Sequence, residues 1–307
     1  MSTVTVIIVT SDHAFCIAKC LESLLGSERP SVADIIVVDN DSVDGTPAII
    51  SRYVPSVRVL QRQGRHSLSN NLNEALATVA ADYVLIMNPD VVVPPGTVTA
   101  LSEFLDSHPG SGACAPALLF PDGRLQLSCR RFPTPWSFVV RRTPVRALLP
   151  YGGRGRKHLM TDCDRTQAQQ VDWLLGACTM FRTAALRSVG MFDEAFRLYC
   201  EDIDICHRLW ANRWSVYYNP AIRVLHEHRA HSDKHLLSRH SLWHYRSMLH
   251  YVVKHGIRGF ARPCPPSFQP TRSDVTLREG THHGLPPHLR GGKVSVANEV
   301  PGNSDPF

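Results

Sequence analysis

Short runs of β-branched residues alternating with stretches of helical periodicity constrain this chain more than any other feature. Residues 4–9, Val-Thr-Val-Ile-Ile-Val, form an unbroken run of the kind carried by strands buried on both faces. Residues 14–25 then place apolar side chains at helical spacing until Gly26 ends the pattern. The alternation continues through a strand at 35–38, a helix at 46–53 with Pro47 near its start, a strand at 57–60, a helix at 69–80 and a strand at 83–87. This tempo predicts parallel βαβ units, hence an α/β fold with a mostly parallel central sheet flanked by helices. In such a sheet the ligand lies beyond the carboxyl ends of the strands.

Further along, the pattern predicts a helix at 101–106, a strand at 113–120 and a tight hairpin turn at Pro121-Asp122-Gly123-Arg124. Residues 130–157 are rich in arginine, include Trp136 and hold no acid, which suggests an excursion that docks on a surface. The largely apolar stretch 171–181, Val-Asp-Trp-Leu-Leu-Gly-Ala-Cys-Thr-Met-Phe, predicts one buried strand. It is followed by a short helix at 184–189, a helix at 203–210, and strands at 216–218 and 222–225. Residues 235–255 read as a helix mixing apolar and aromatic residues with His, Arg and Lys. From about residue 262 Pro and Gly accumulate without periodicity, predicting a disordered tail over 262–307.

Composition removes several classes of function. Among 307 residues, 43% hydrophobic and 20% charged side chains supply a core and exclude wholesale disorder. No apolar run is long enough to span a bilayer, and the N-terminus lacks a basic n-region and a cleavage site, so a cytoplasmic protein is expected. The nine cysteines are odd in number and never spaced C-x-x-C, which points to reduced, buried thiols. A net charge of +6, without a dense basic arm or an aromatic platform, gives no reason to expect a nucleic-acid partner. Neither G-x-G-x-x-G nor G-x-x-x-x-G-K-[ST] follows any strand, which disfavours dinucleotide dehydrogenases and P-loop enzymes. His226-Glu227-His228 is not H-E-x-x-H, so a zinc protease is disfavoured as well.

The acids gather where strands end: Asp39, Asp41 and Asp44 after the second strand, Asn88-Pro89-Asp90 after the fourth, and Glu201, Asp202 and Asp204 beyond the Trp173 strand. Any one of these could merely cap a helix or solvate a loop. Together they suit a nucleotide diphosphate and its metal, because phosphate oxygens and water fill most of the coordination and one or two carboxylates suffice. Glu201 and Asp202 also open a helix, where acids favour the positive end of the dipole. That role and a chemical one can coexist.

Val-Val-Asp39-Asn40-Asp41-Ser42-Val43-Asp44-Gly45-Thr46, Met87-Asn88-Pro89-Asp90, Trp173-Leu-Leu-Gly176-Ala177-Cys178, Phe192-Asp193-Glu194, Tyr199-Cys200-Glu201-Asp202-Ile203-Asp204 and His226 together resemble family 2 glycosyltransferases. Leu125-Gln-Leu-Ser-Cys-Arg130-Arg131-Phe-Pro133 makes the chain similar to the bacterial rhamnosyltransferase branch. The resemblance spans roughly residues 4–255. It implies a GT-A (Rossmann-like) fold, an inverting transfer from an NDP-sugar (dTDP-, UDP- or GDP-linked), and a divalent metal, Mg²⁺ or Mn²⁺. The acceptor it implies is a lipid-linked saccharide or a growing cell-surface glycan.

By the same resemblance, Thr10, Asp39, Asp44, Asn88, Asp90 and Gly176 bind the nucleotide sugar, and Asp90 and His226 hold the metal. Asp202 is the implied base, with Glu201 raising its pKa. The implied organisation is a nucleotide-sugar half (1–110), an acceptor half (111–235), a basic amphipathic helix (236–261) and the tail. The two basic, aromatic-bearing segments could rest on the inner face of the plasma membrane or simply pack on the domain. Four positions depart from the family pattern: Arg62-Gln63-Gly64-Arg65 in place of an N-x-G-[FY] loop, Asn73 for a Gly, Asp41 for a small residue, and Arg213 for a Gly. A GT-A protein that binds nucleotide sugar without catalysis is the alternative they leave open. A sugar-1-phosphate nucleotidyltransferase is disfavoured because its glycine-rich N-terminal loop is missing.

Overall fold

A computed structural model describes residues 2–27, 32–133, 158–160, 163–227 and 239–263. Strands β1 (Val4–Thr10), β2 (Val32–Asp39), β3 (Arg58–Gln61) and β4 (Tyr83–Met87) lie in the order β3-β2-β1-β4 and pair in parallel throughout. The crossovers are α1 (Ile17–Ser27), α2 (Thr46–Ile50) with a 3₁₀ turn over Ser51–Tyr53, and α3 (Leu68–Leu76). Side chains alternate between the two faces as strand geometry requires. Val6, Ile8, Val37 and Leu85 pack under Leu21 and Leu24 of α1, whereas Ile7, Ile36, Val38 and Ile86 pack under Leu72 and Leu76 of α3.

Beyond β4 the sheet becomes mixed. After β5 (Val91–Val92), α4 (Thr97–Ser107), β6 (Ser111–Leu119), β7 (Cys129–Arg130), β8 (Gln169–Gln170) and β9 (Trp173–Leu174) comes β10 (Cys178–Arg182), which inserts antiparallel between β4 and β6. The chain closes with α5 (Thr183–Ser188), α6 (Glu201–Ala211), β11 (Ser215–His226), α7 (Arg239–His255) and a 3₁₀ turn. The nine-stranded sheet continues from β6 to β11, parallel, and β5 and β8 add to β11 antiparallel. Residues 1–110 and 111–235 thus share one sheet.

Several elements differ from their sequence expectation. The run 171–181 is two strands: β9 leaves the main sheet to pair with β7, and β10 begins only after Leu175-Gly176-Ala177. A largely apolar run reports burial on both sides, not direction, so the break was invisible. Conversely, the strands expected at 216–218 and 222–225 are one, β11, with a register shift between Asn219 and Arg223. The helix expected to reach residue 80 stops at Leu76, and the turn at Gly123 (φ +81°) closes on a single bridge, Leu119 to Leu125. The eight described cysteines are free, and all but Cys163 are buried.

The last helix packs on α6 through charge. Asp204, fully buried on α6, accepts from His255 Nε2 (2.7 Å) and Lys254 Nζ (2.8 Å) of α7 and from Arg208 on its own helix. Asp193 accepts from Lys254 (2.6 Å) and His250 (3.1 Å). The basic segment at 134–157 and the tail from 264 onward lie outside the described residues.

Candidate active site

Two polar clusters form at the carboxyl edge of the parallel strands. In the first, Thr10 and Asp39 end β1 and β2 side by side, in register, and both are buried. Asp39 accepts from Ser42 Oγ through Oδ1 and from Gln61 Nε2 (2.8 Å) through Oδ2. Asn40 donates its N–H to the Thr10 carbonyl (2.8 Å), and its side chain clasps the backbone of His66 (2.8 and 3.2 Å). Asp44, exposed, accepts from the N–H of Ala14 (3.0 Å) and of Thr46 (2.9 Å). Desolvation works against ionisation of Asp44, but those hydrogen bonds outweigh it and hold its carboxyl below the ordinary range. Asp12, in a left-handed turn at φ +59°, is lowered likewise by the Val43 N–H and by its ion pair with Arg65.

Three of the residues that depart from the family pattern, Arg62, Arg65 and Asn73, are built into the loops around this edge. Arg62 pairs with Glu74 and donates to Asn70 (3.0 Å), while Arg65 meets Asp12. Asn73 brackets Phe192, donating to its carbonyl (2.8 Å) and accepting from its N–H (3.0 Å). With Asn70 it also donates to Glu194. The altered loop is therefore anchored, and it ties α3 to the segment that leads into α6.

The second cluster assembles around Asp90 and His226, which the sheet brings together by pairing Val91 of β5 with His226 at the end of β11. Asp90 Oδ1 is buried without a hydrogen bond of regular geometry and faces His226 Nε2 at 3.3 Å. Behind the ring, His226 Nδ1 lies 2.7 Å from Gln126 Oε1. A buried carboxylate oxygen opposite an imidazole nitrogen suits a divalent cation that takes its remaining ligands from phosphate and water. No group of three His, Cys, Asp or Glu side chains able to hold a metal occurs among the described residues, so these two would have to suffice on the protein side.

Asn88, Gly176, Glu201 and Asp202 line one largely apolar cleft walled by Leu68 and Leu72 of α3 and by α6. Cys200, at φ +66°, turns the chain so that Glu201 and Asp202 open α6 with their side chains inward. Gly176, where β9 has left the main sheet, donates its N–H to Asp202 Oδ2 (3.4 Å), and Ile203 N–H donates to Oδ1 (2.8 Å). A Cβ on Gly176 would sit 3.7 Å from the Asp202 Cβ, an ordinary van der Waals contact, so the carboxylate is reached by the Gly176 N–H without the position requiring a glycine. Burial raises both carboxyls well above the ordinary range. Glu201 rises further under the charge of Asp202, whereas the Ile203 and Gly176 amides and the buried Arg130 restrain Asp202. Set side by side in an apolar wall, the two carboxyls resist ionising together.

Of the residues expected at the site, Asn88, Gly176, Glu201 and Asp202 share the cleft and Asp90 and His226 face one another. Thr10, Asp39 and Asp44 form the separate cluster after β1 and β2. Sequence reasoning missed Gln126 and Arg130 as individuals, although both lie in the Leu125–Pro133 motif; their partners are distant in the chain, and no local signal could have named them.

A parallel βαβ half joined through an antiparallel strand to a mixed second half, with two buried carboxylates in the cleft between sheet and α6, has the architecture of a GT-A glycosyltransferase. The model of Glycosyl transferase family 2 matches residues 5–190 and that of Glycosyl transferase family group 2 matches residues 157–263; the chain belongs to glycosyltransferase family 2. It is 32% identical over 257 residues to the N-acetylglucosaminyl-diphospho-decaprenol L-rhamnosyltransferase of Mycobacterium tuberculosis, covering 79% of this chain and 81% of that one. It is 26% identical over 269 residues to rhamnosyltransferase WbbL of Escherichia coli, covering 82% and 93%. Within its family it therefore sits with bacterial rhamnosyltransferases.

The fold matches GalNAc-T7, solved with UDP, GalNAc and Mn²⁺ (TM-score 0.57, 13% identity, 75% of this chain and 45% of that one). It also matches the mannosyltransferase PcManGT of Pyrobaculum calidifontis, solved with GDP-Man and Mn²⁺ (TM-score 0.51, 19% identity, 74% and 57%).

Proposed function

We propose that this glycosyltransferase moves a rhamnosyl group from a nucleoside-diphosphate donor, dTDP-linked before UDP- or GDP-linked, to a hydroxyl of a polyprenyl-diphosphate-linked saccharide, with inversion. The observation that carries the mechanism is Asp202: a buried carboxylate at a helix start, facing the cleft, with its basicity raised by burial. An ordinary Asp, with a pKa near about 3.9, is a feeble base at neutral pH, and desolvation corrects that. Asp202 takes the acceptor proton as the acceptor oxygen bonds to the anomeric carbon. The bond from that carbon to the diphosphate oxygen breaks on the opposite face, and the electron pair leaves with the NDP. Glu201, protonated, keeps a second negative charge away from the attacking oxygen.

The nucleotide lies along the Thr10–Asp44 edge. Asp39, whose oxygens already hold Ser42 and Gln61, fixes that loop and reaches a base or ribose only if one of them yields. Asp90 and His226 would hold Mg²⁺ or Mn²⁺, which when bound neutralises the charge on the departing diphosphate. The substrate class rests on the activities of the relatives. It is tested by incubating the protein with dTDP-rhamnose and a polyprenyl-diphosphate N-acetylglucosamine: a new α-linked rhamnoside, from a β-linked donor, is expected. Hydrolysis alone, or no product with any of the three donor classes, would sink the assignment.

A lipid-linked acceptor also calls for a membrane-facing surface, for which α7 is the candidate. Its inner face is occupied by the pairs to Asp193 and Asp204, its outer ridge exposes Leu242, Arg246, Leu249 and Val253, and its sequence holds no acid. Among the described residues no helix is long and apolar enough to cross a membrane, so contact would be peripheral, at an anionic leaflet. Co-sedimentation with anionic vesicles, weakened by Leu249→Ser with Val253→Ser, is expected; equal recovery with neutral vesicles at low salt would count against it.

A further inference from the structure

We propose that Gln126 is a positioning residue that fixes the tautomer of His226, so that Nε2 offers its lone pair to a divalent cation beside Asp90. This rests on the metal-assisted reading of the site and adds a residue to it.

Gln126 is buried and held by its own backbone. After β6 the chain turns back at Gly123, Gln126 donates its N–H to the Leu118 carbonyl (2.8 Å), and its carbonyl accepts from Ser128 N–H (2.9 Å). Leu118 and Leu119 of β6 pair with Val224 and Leu225 of β11, so the hairpin lies over the residue that follows, His226. The side-chain amide then makes both of its bonds to that one residue. Nε2 donates to the His226 carbonyl (3.0 Å) and Oε1 faces His226 Nδ1 at 2.7 Å.

The chemistry leaves one assignment. A backbone carbonyl only accepts, so the amide nitrogen must face it, and the amide oxygen must then face Nδ1. That oxygen also only accepts, so Nδ1 carries the proton. A neutral imidazole has one N–H, so Nε2 is left with a lone pair. This Nε2 lies 3.3 Å from Asp90 Oδ1. In the neutral ring that lone pair faces a carboxylate oxygen, an arrangement that a divalent cation between them would satisfy, and Gln126 keeps the imidazole from donating its single proton to Asp90 instead. The amide does here what a carboxylate or a carbonyl does behind many metal-bound histidines.

The test is Mn²⁺ binding followed by electron paramagnetic resonance, with UDP or dTDP present, for the wild type, Gln126→Leu and Gln126→Glu. Leucine keeps the volume but cannot accept from Nδ1, and Mn²⁺ affinity should fall about 10- to 100-fold. Glutamate keeps the acceptor, and its affinity should stay within a few-fold of wild type. Nitrogen-15 correlation spectra of histidine-labelled, metal-free wild type, with His226 identified by its loss in His226→Ala, should show the Nδ1–H form. A merely structural role would not dictate that form.

Wild-type affinity in Gln126→Leu, or an Nε2–H tautomer in the neutral wild-type ring, overturns the proposal. If Gln126→Leu does not fold, the wild-type spectrum and Gln126→Glu still decide it. His226→Ala and Asp90→Ala separate the two levels. If they too bind Mn²⁺ as wild type does, the metal reading has failed; if they lose it while Gln126→Leu does not, only the role of Gln126 has.

Discussion

Carboxylates in two regions of the carboxyl edge are pushed in opposite directions. In the loops after β1 and β2, Asp12 and Asp44 sit near solvent, accept backbone N–H bonds and are held below the ordinary range. At the start of α6, Glu201 and Asp202 are buried together in an apolar wall and held above it. The residue types are the same. One side satisfies its negative charge permanently and so works as scaffold, whereas the other leaves it under-satisfied and so is able to accept a proton. Groups whose environments drive their pKa values apart separate structural acids from reactive ones.

The largest expected effect breaks the reactive side. Asp202→Asn keeps the shape and the Ile203 contact but removes the base, and kcat should fall about 10²- to 10⁴-fold while the thermal shift given by the nucleotide sugar is retained. Turnover at the wild-type rate would show that Asp202 is not the base.

A smaller and more discriminating effect concerns the order of titration within the pair. Activity needs ionised Asp202, so kcat should decline as pH drops through its raised pKa, with an acid limb well above the pH of about 4 expected of an ordinary carboxylate. If Asp202 is the first of the pair to ionise, as its role as base requires, Glu201→Gln leaves that limb in place. A limb displaced by more than a unit would assign the first ionisation to Glu201 instead.

Stability depends on pH through the same group. The folded-state pKa of Glu201 lies above its unfolded value, so its contribution is full at low pH and is lost as pH rises through the raised pKa. Glu201→Gln should therefore gain on the wild type in melting temperature as pH rises, with the difference closing in acid. Asp193 behaves oppositely. Burial would raise it, but Lys254 and His250 hold it far below the ordinary range, so its contribution is lost as pH falls.

The smallest effect tests the scaffold side. Asp44→Ala removes two backbone hydrogen bonds at the surface of the loop, together worth about 1 kcal/mol, so the donor KM should rise about five-fold with kcat nearly unchanged. A fall in kcat comparable to that of Asp202→Asn would mean that the two sides do not divide the work as described.

Legibility in the sequence followed the range of each interaction. The four parallel strands and their helices were readable because two-sided burial leaves unbroken β-branched runs, and the placement of Asp39, Asp90 and Asp202 beyond strand ends followed from them. The reversal at Gly176 was not readable, because Leu174 and Cys178 are equally apolar on either side of it while their partners, Cys129 and Met87, lie in different sheets. Nor was the use of Asn73, an apparent departure that brackets the Phe192 backbone 119 residues away.

By itself the sequence determined which residue types stand at the sheet edge, since periodicity and turn chemistry are local and survive in one dimension. Only the tertiary structure decided that Asp90 meets His226, that Gln126 closes behind the ring from 100 residues away, and that Glu201 and Asp202 are buried together. The reason is physical: a carboxylate's basicity and an imidazole's tautomer depend on burial and on the atoms within a few ångströms. Those neighbours are set by how strands and helices pack, which no local pattern of residues records.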